Sequence, residues 1–223
     1  MKLDITGCTK IDTQVLNHLS DVEIVGNEIV TFGDKVLERE IRELINNYSE
    51  PIYKRQLLSI TKLELSGRGI VDLQGLEGME NLIYLDLSNN EISNIDSIKK
   101  LVKLKKLVLH KNKIGSIKSI ESLRSLEELD LSNNIIGDIT ILGSLTNLNR
   151  LDLSRNGIVS INSLSSLIKL QYLSLYENKI SEGEESLKGL YNLKELYLKN
   201  SGVSNFDVTL AYYNNLEKKR FYN

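Results

Sequence analysis

Residues 82–92 read LIYLDLSNNEI, and residues 126–136 read LEELDLSNNII. Both stretches follow one frame, Leu-x-x-Leu-x-Leu-x-x-Asn-x-Ile, in which x is any residue. The frame starts at seven places in the chain: Ile60, Leu82, Leu104, Leu126, Leu148, Leu170 and Leu193. The first six starts are 22 residues apart, and the seventh comes one residue late, so the stretch 181–191 carries an insertion. Self-similarity at a fixed period indicates a repeat protein. Positions below are counted from the first residue of each copy.

The spacing of the aliphatic residues predicts the structure of each copy. Alternating leucines at positions four and six predict a short strand with one buried face. Aliphatics three residues apart then follow, as at Ile92, Ile95 and Ile98, and this spacing favours a tight 3₁₀-like turn. One copy is too small to bury its own apolar face, so the copies must stack. The sequence therefore predicts an α/β solenoid. It has a curved parallel β-sheet on its concave face and short 3₁₀ or irregular segments on its convex side.

Position nine is asparagine in five consecutive copies, at Asn90, Asn112, Asn134, Asn156 and Asn178. Arg68 and Ser201 take that place in the first and last copies. A side-chain amide both donates and accepts hydrogen bonds. We expect each asparagine to satisfy backbone groups where the chain turns inward.

This frame resembles the leucine-rich repeat. Its 22-residue form is most similar to that of bacterial internalins and of the leucine-rich regulatory subunit of protein phosphatase 1. The match covers about 150 residues with almost no gaps. The resemblance implies a non-enzymatic interaction module that binds a protein or peptide on its concave face.

The chain divides into four parts by pattern. Residues 59–209 hold the repeats, and residues 210–223 form a closing half-repeat that starts at Leu216. The pattern of residues 34–58 predicts a helical cap. Its helix is expected over 34–47, with Asp34 as the N-cap residue. The expected buried side chains of this helix are Leu37, Ile41, Leu44 and Ile45. Together with the linker that follows, it resembles the cap that precedes internalin repeats. Residues 1–33 fit two degenerate repeats, one with Cys8 in place of asparagine, or else an irregular hairpin.

Composition excludes several classes of function. The net charge is −2, so the basic excess typical of a nucleic-acid-binding protein is missing. A single cysteine excludes an intramolecular disulfide and a four-thiolate zinc site. No run of 18 apolar residues occurs, so we expect no membrane span. His18 and His110 lie far apart and no phosphate-binding loop is present, so we expect no enzyme, cofactor or metal.

Candidate binding residues come from positions three, five and seven, which point out of the concave face. Tyrosine is enriched at interfaces because it offers a large contact area at low entropic cost. We predict that Tyr172, Tyr176 and Tyr197 anchor a partner. The expected contacts at the rim of this site are Arg150, Asp152 and Lys199. A second expected patch lies in the basic stretch 99–113 and contains Lys106 and His110, with Tyr84 nearby.

The neighbouring carboxylates Asp130 and Asp152 are interpreted as part of the repeat rather than as an acid–base pair.

Three roles remain open: an internalin-like surface adhesin, an intracellular regulatory subunit of an enzyme, and a structural spacer or fragment of a longer surface protein. We expect a monomer that binds an unidentified protein or peptide. A cytoplasmic location is expected, with a secreted or cell-surface protein whose leader lies outside this chain as the alternative.

Overall fold

The computed structural model describes residues 2–4, 23–25, 27–203 and 218–220. Near the N-terminus, β1 (Lys2–Asp4) and β2 (Glu23–Val25) form a separate two-stranded parallel sheet, with Leu3 opposite Ile24. The other residues of this segment, Cys8 among them, lie outside the described part. The prediction of degenerate repeats over residues 1–33 therefore stays a prediction.

Eight short strands form one open, parallel sheet, in which strands that follow each other in sequence are neighbours. They are β3 (Lys62–Glu64), β4 (Tyr84–Asp86), β5 (Lys106–Val108), β6 (Glu128–Asp130), β7 (Arg150–Asp152), β8 (Tyr172–Ser174), β9 (Glu195–Tyr197) and β10 (Lys218–Arg220). Each strand from β3 to β9 covers positions three to five of one copy, because these positions hold the alternating pattern. The predicted solenoid sheet is confirmed. Strand β10 follows position one of the predicted closing half-repeat, and Leu216 itself lies outside the described residues.

The register of the sheet places equivalent positions side by side. Leu63 lies opposite Leu85, and Leu85 lies opposite Leu107, and this pairing continues through β9. The predicted rows of outward residues are therefore rows of spatial neighbours.

The core lies beneath the sheet. The leucines at positions four and six of the inner copies are almost fully buried, as are the aliphatics of the convex side. That side consists of short 3₁₀ helices, as predicted: Leu76–Gly78, Asp96–Ile98, Lys118–Ile120, Thr140–Ser144, Asn162–Ser166 and Glu184–Gly189. The last is the longest. It follows Gly183, whose φ of 87° allows the chain to accommodate the inserted residue.

The asparagines at position nine connect each copy to the preceding one. Nδ2 of Asn134 donates to the carbonyl oxygens of Leu109 and Leu131, both at 3.0 Å, and of Ser132 at 3.2 Å. Its Oδ1 accepts from the N–H of Ile114 at 3.0 Å. The same pattern recurs at the other four asparagines, which we call the asparagine ladder. The predicted backbone role of these amides is confirmed.

Two helices pack on the core of the first copy: α1 (Lys35–Ile45) and α2 (Lys54–Leu57). Leu37 and Ile41 of α1 are buried, and Ile45 is partly buried, as predicted. Leu44 was expected on the same face, but half of its surface (50%) is exposed. The helix is shorter than expected because Asn46 adopts a left-handed conformation and ends it.

Asp34 is the N-cap of α1, as predicted, and also ties the helix to the first repeat. Its Oδ1 accepts from the N–H groups of Val36 and Leu37, and its Oδ2 accepts from the N–H of Val71 at 2.9 Å. Burial acts to raise the pKa of this carboxyl, but the backbone hydrogen bonds outweigh it and hold the pKa below its ordinary value. One carboxylate thus joins the cap and the repeat array.

Candidate binding face

The concave face is formed by the side chains at positions three, five and seven of strands β3 to β9. Three of the position-five residues are aspartates that accept hydrogen bonds from the serine two residues later. Ser132 donates its hydroxyl to Asp130 at 2.6 Å, and Ser154 donates to Asp152 at the same distance. Asp86 and Ser88 repeat this contact. The Asp-x-Ser pairs therefore act locally, in line with their interpretation as part of the repeat.

A stack of three side chains crosses β7, β8 and β9. The guanidinium carbon of Arg150 lies 3.5 Å from the ring centroid of Tyr172. On its other side, the ring of Tyr172 lies 5.3 Å from that of Tyr197, tilted by 45°. Cation–π and tilted aromatic contacts both stabilise such an arrangement. We call these three residues the aromatic stack.

Hydrogen bonds fix the two rings of the aromatic stack. The hydroxyl of Tyr172 donates to Oδ2 of Asp152 at 3.2 Å, and the hydroxyl of Tyr197 donates to Oε2 of Glu195 at 2.6 Å. Burial, followed by the nearby Asp152 carboxylate, raises the pKa of Tyr172 well above its ordinary value, although Arg150 acts in the opposite direction. Tyr172 is therefore a neutral hydrogen-bond donor at physiological pH. Four of the predicted residues (Arg150, Asp152, Tyr172 and Tyr197) meet here.

Tyr176 stands apart from this stack. Its ring faces Arg155, whose guanidinium carbon lies 5.5 Å from the ring centroid, and Arg155 pairs with Glu177 at 2.8 Å. Within the described part of the chain, no ring contact joins Tyr176 to Tyr172. A side-chain hydrogen bond with Tyr176 lowers the pKa of the Glu177 carboxyl against the effect of burial, and Arg155 and Lys199 lower it further. Lys199 lies half-buried at position seven of the next copy.

Sequence reasoning missed Arg155 and Glu177 because both occupy position eight. This position is left-handed in all seven copies, with φ between 51° and 70°. Glycine or asparagine stands there in four copies, and both residue types favour this conformation. That enrichment was the available signal: it marks a sharp turn that brings the side chain at position eight beside the concave face.

The N-terminal half of the concave face is built from ion pairs. Tyr84 lies between Lys62 and Lys106, whose ammonium groups are 5.2 and 5.8 Å from its ring centroid. Lys106 also pairs with Glu128 at 2.7 Å. Nδ1 of His110 lies 2.7 Å from the hydroxyl oxygen of Ser132. Of the predicted second patch, Tyr84 and Lys106 thus contact each other, and Glu128 of the next copy matches the charge of Lys106.

Two further lysines of the basic stretch 99–113 form ion pairs. Lys105 pairs with Glu127 of the next copy, and Lys113 pairs with Glu91 of the preceding copy, both at 2.9 Å. Among the described residues, no group of three or more His, Cys, Asp or Glu side chains could bind a metal ion. None of the described helices has the length and apolarity needed to cross a bilayer.

Comparison with known proteins agrees with this architecture. A family model described as "Leucine Rich repeats (2 copies)" matches residues 80–125, 102–144 and 124–166. The crystal structure of internalin C2 from Listeria monocytogenes is similar, with 30% identity and a TM-score of 0.70, over 83% of this chain and 92% of that protein. The chain belongs to the leucine-rich repeat family.

Two further structures of leucine-rich repeat proteins are similar over part of their length. An internalin (inlF) from Listeria monocytogenes is 29% identical with a TM-score of 0.62, and the match covers 74% of this chain and 56% of that protein. A leucine-rich repeat protein from Leptospira interrogans is 26% identical with a TM-score of 0.59, and the match covers 69% of this chain and 47% of that protein. The chain thus spans about half the length of these two proteins. No curated protein matches it in sequence.

The predicted leucine-rich repeat resemblance, including its internalin branch, is confirmed. Nothing in these similarities concerns the phosphatase regulatory subunit, so that resemblance stays a prediction. Leucine-rich repeats and internalin-like neighbours support a protein-interaction module in general. Proteins of this kind are typically non-enzymatic.

Proposed function

We propose that this leucine-rich repeat protein binds a protein or peptide partner on the C-terminal half of its concave face, with the aromatic stack as the anchor. The observation that carries the proposal is the preformed contact of Arg150, Tyr172 and Tyr197 across three strands. Binding to side chains that are already ordered avoids part of the entropic cost of association. Aromatic and arginine side chains also dominate the energetics of most protein interfaces.

The N-terminal half supports this choice by contrast. Lys106 and Glu128 already neutralise each other, and a partner must break or bury that pair to use either charge. We therefore assign Tyr84, Lys106 and His110 to a secondary patch. Tyr176, Asp152 and Lys199 border the primary site.

The test is an affinity capture from the lysate and culture supernatant of the native organism, followed by titration of the captured protein. A Tyr172/Tyr176/Tyr197→Ala variant is compared with a Tyr84/His110→Ala variant, and circular dichroism must show that both remain folded at the temperature of the capture. We expect the first variant to lose the partner and the second to keep most of the affinity. Loss in the second variant alone would place the site at the other end of the solenoid.

A second candidate is an adhesin that acts at the cell surface, and the similarity to two internalins favours it. The same capture separates it from an intracellular regulator, since the partner would come from the envelope or the culture supernatant rather than from cytoplasmic enzymes. Fractionation of the native organism checks the location directly. Identical captures with both variants and the wild type would favour a structural spacer.

A further inference from the structure

Two rows of polar side chains run along the flank of the sheet, beside the start of the strands. The first row stands at position two of four consecutive copies, at Lys105, Glu127, Asn149 and Gln171. From Lys105 to Gln171, the carbonyl of each row member accepts the N–H of the next, at 2.7 to 2.8 Å. Neighbours in the row are therefore one strand spacing apart, and the row is about 14 Å long.

The second row consists of residues that directly precede position one. They are Ser125, Asn147, Lys169 and Asn192. Between the rows, position one sends its leucine into the core, where the side chain is fully buried. The two rows together line a groove of about 670 Å³, and all eight of its lining residues are polar.

Part of the hydrogen-bonding capacity in this groove is unused. The side-chain amides of Asn149 and Gln171 make no hydrogen bond with any residue that the structure describes. Asn192 donates to the carbonyl of Ile168 at 2.7 Å, but its Oδ1 accepts no bond within the described part of the chain. The asparagine ladder differs, because each of its amides both donates and accepts. The free carboxamides of the groove offer donors and acceptors side by side to a ligand.

The groove carries little unmatched charge. Lys105 pairs with Glu127 at 2.9 Å, so these two charges cancel. The ammonium group of Lys169 donates to Oδ1 of Asn147 at 2.8 Å, and among the described residues it is the one charge of the groove without an ion pair. A ligand that matches this lining is therefore rich in hydrogen-bonding groups and needs no net charge.

We propose that this groove binds a linear, uncharged oligosaccharide. A sugar hydroxyl donates and accepts, as a carboxamide does, so neighbouring hydroxyls of one sugar match the adjacent amides of Asn149 and Gln171. Tyr191 directly precedes Asn192 and is 63% exposed, so its ring offers an apolar surface at this end of the groove to the C–H face of a sugar.

A peptide matches the groove less well, because its side chains would meet no apolar residue in the lining. The groove also lies outside positions three, five and seven. Binding there is therefore independent of the aromatic stack and of the function proposed for the concave face.

The experiment titrates the full chain, labelled with ¹⁵N, with cellotetraose, maltotetraose and N-acetylated chitotetraose, and follows the amide signals of both rows by NMR. The wild type is compared with Asn149→Ala/Gln171→Ala and with Tyr191→Ala. The matched control is Gln74→Ala, because this exposed amide lies on the first copy and its one side-chain contact, to the Thr31 hydroxyl, is 3.5 Å long. Sorbitol and an octapeptide of alternating glycine and serine are the control ligands.

We expect saturable shifts in both rows with at least one tetrasaccharide and a dissociation constant of about 1 mM, since each hydrogen bond replaces one to water. The double variant should bind about tenfold more weakly, Tyr191→Ala about threefold more weakly, and Gln74→Ala like the wild type. Backbone spectra that match the wild type outside the groove show that the variants fold.

The inference is overturned if none of the tetrasaccharides shifts these signals at tens of millimolar, or if the folded double variant binds as tightly as the wild type. Equal shifts with sorbitol at the same hydroxyl concentration also overturn it, because any hydroxyl would then suffice. Shifts with the glycine–serine peptide alone would assign the groove to a peptide backbone instead.

Discussion

The two halves of the concave face share one backbone and differ in their exposed side chains. In the N-terminal half, formed by β3 to β6, lysines pair with glutamates, across strands at Lys106–Glu128 and within β3 at Lys62–Glu64. In the C-terminal half, formed by β7 to β9, an arginine and two tyrosines stack. The register and the asparagine ladder continue unchanged from one half to the other. The leucine-rich frame therefore sets the scaffold, and three exposed positions in each copy set what the surface can bind.

The largest effect should come from the scaffold that both halves share. In Asn134→Ala, three carbonyls and one N–H lose a buried partner, and we expect the free energy of unfolding to fall by about 3 kcal/mol. The matched control is Asn147→Ala, because Asn147 is exposed, donates to the carbonyl of Arg124 and accepts only from the exposed ammonium group of Lys169. Denaturant unfolding measures both. Equal losses in the two variants would contradict a special role for the ladder.

A second test concerns the insertion that sets the C-terminal half apart. A Cβ atom at Gly183 would lie 2.6 Å from the backbone nitrogen of Asn162, and the φ of 87° disfavours any side chain. We expect Gly183→Ala to cost about 2 kcal/mol. Gly137→Ala is the control, because the nearest atom to its added Cβ would be 3.8 Å away. Thermal unfolding should show a lower melting temperature for Gly183→Ala alone.

The two halves should also differ in how much a tyrosine hydroxyl contributes. Tyr172→Phe removes a half-buried hydrogen bond to Asp152, so we expect a loss of about 1 kcal/mol of stability. Tyr84→Phe should cost less than about 0.5 kcal/mol, since its hydroxyl makes no hydrogen bond with the described residues. Comparison of the two urea midpoints decides the matter. A larger loss of stability in Tyr84→Phe than in Tyr172→Phe would contradict the view that the tyrosine of the C-terminal half is the better ordered.

The smallest expected effect is the difference in salt sensitivity. A double-mutant cycle with Lys106→Ala and Glu128→Ala should give a coupling of about 0.5 kcal/mol that fades in high salt, because the pair is exposed. A cycle with Arg150→Ala and Tyr172→Ala should give a coupling of about 1 kcal/mol that is retained in high salt, since its ring partner is uncharged. Similar salt dependence in both cycles would remove this distinction between the halves.

Most of the fold could be predicted from the sequence because one short pattern repeats. A buried leucine at positions four and six leaves a single register for neighbouring strands, since a slip by one residue would expose the whole set. The outward rows followed from that register, and so did the meeting of Arg150 with Tyr172. The cap lies outside this repeating pattern, and there the prediction that Leu44 is buried was wrong.

The contacts of Tyr176 could not be predicted for a different reason. They depend on the left-handed conformation at position eight. In some copies the residue type indicates this conformation, because glycine or asparagine stands there, as at Asn133. Arg155 and Glu177 adopt the same conformation without being residues that favour it. Only the stacking of neighbouring copies imposes that turn on them.

The asparagine ladder has a consequence for the chemical ageing of the protein. Asn156 precedes Gly157, a dipeptide in which the glycine nitrogen readily attacks the side-chain carbonyl carbon of asparagine. Ammonia leaves, and water then opens the cyclic imide to aspartate or isoaspartate. In the folded chain the N–H of Gly157 donates to the carbonyl of Ile136, and the Asn156 amide is held by three carbonyls. A carboxylate at this position would face those carbonyls with an oxygen where a donor stood, so we expect it to weaken the ladder at this copy. Because the folded chain holds both groups, we expect the converted residue to accumulate chiefly while the array is unfolded.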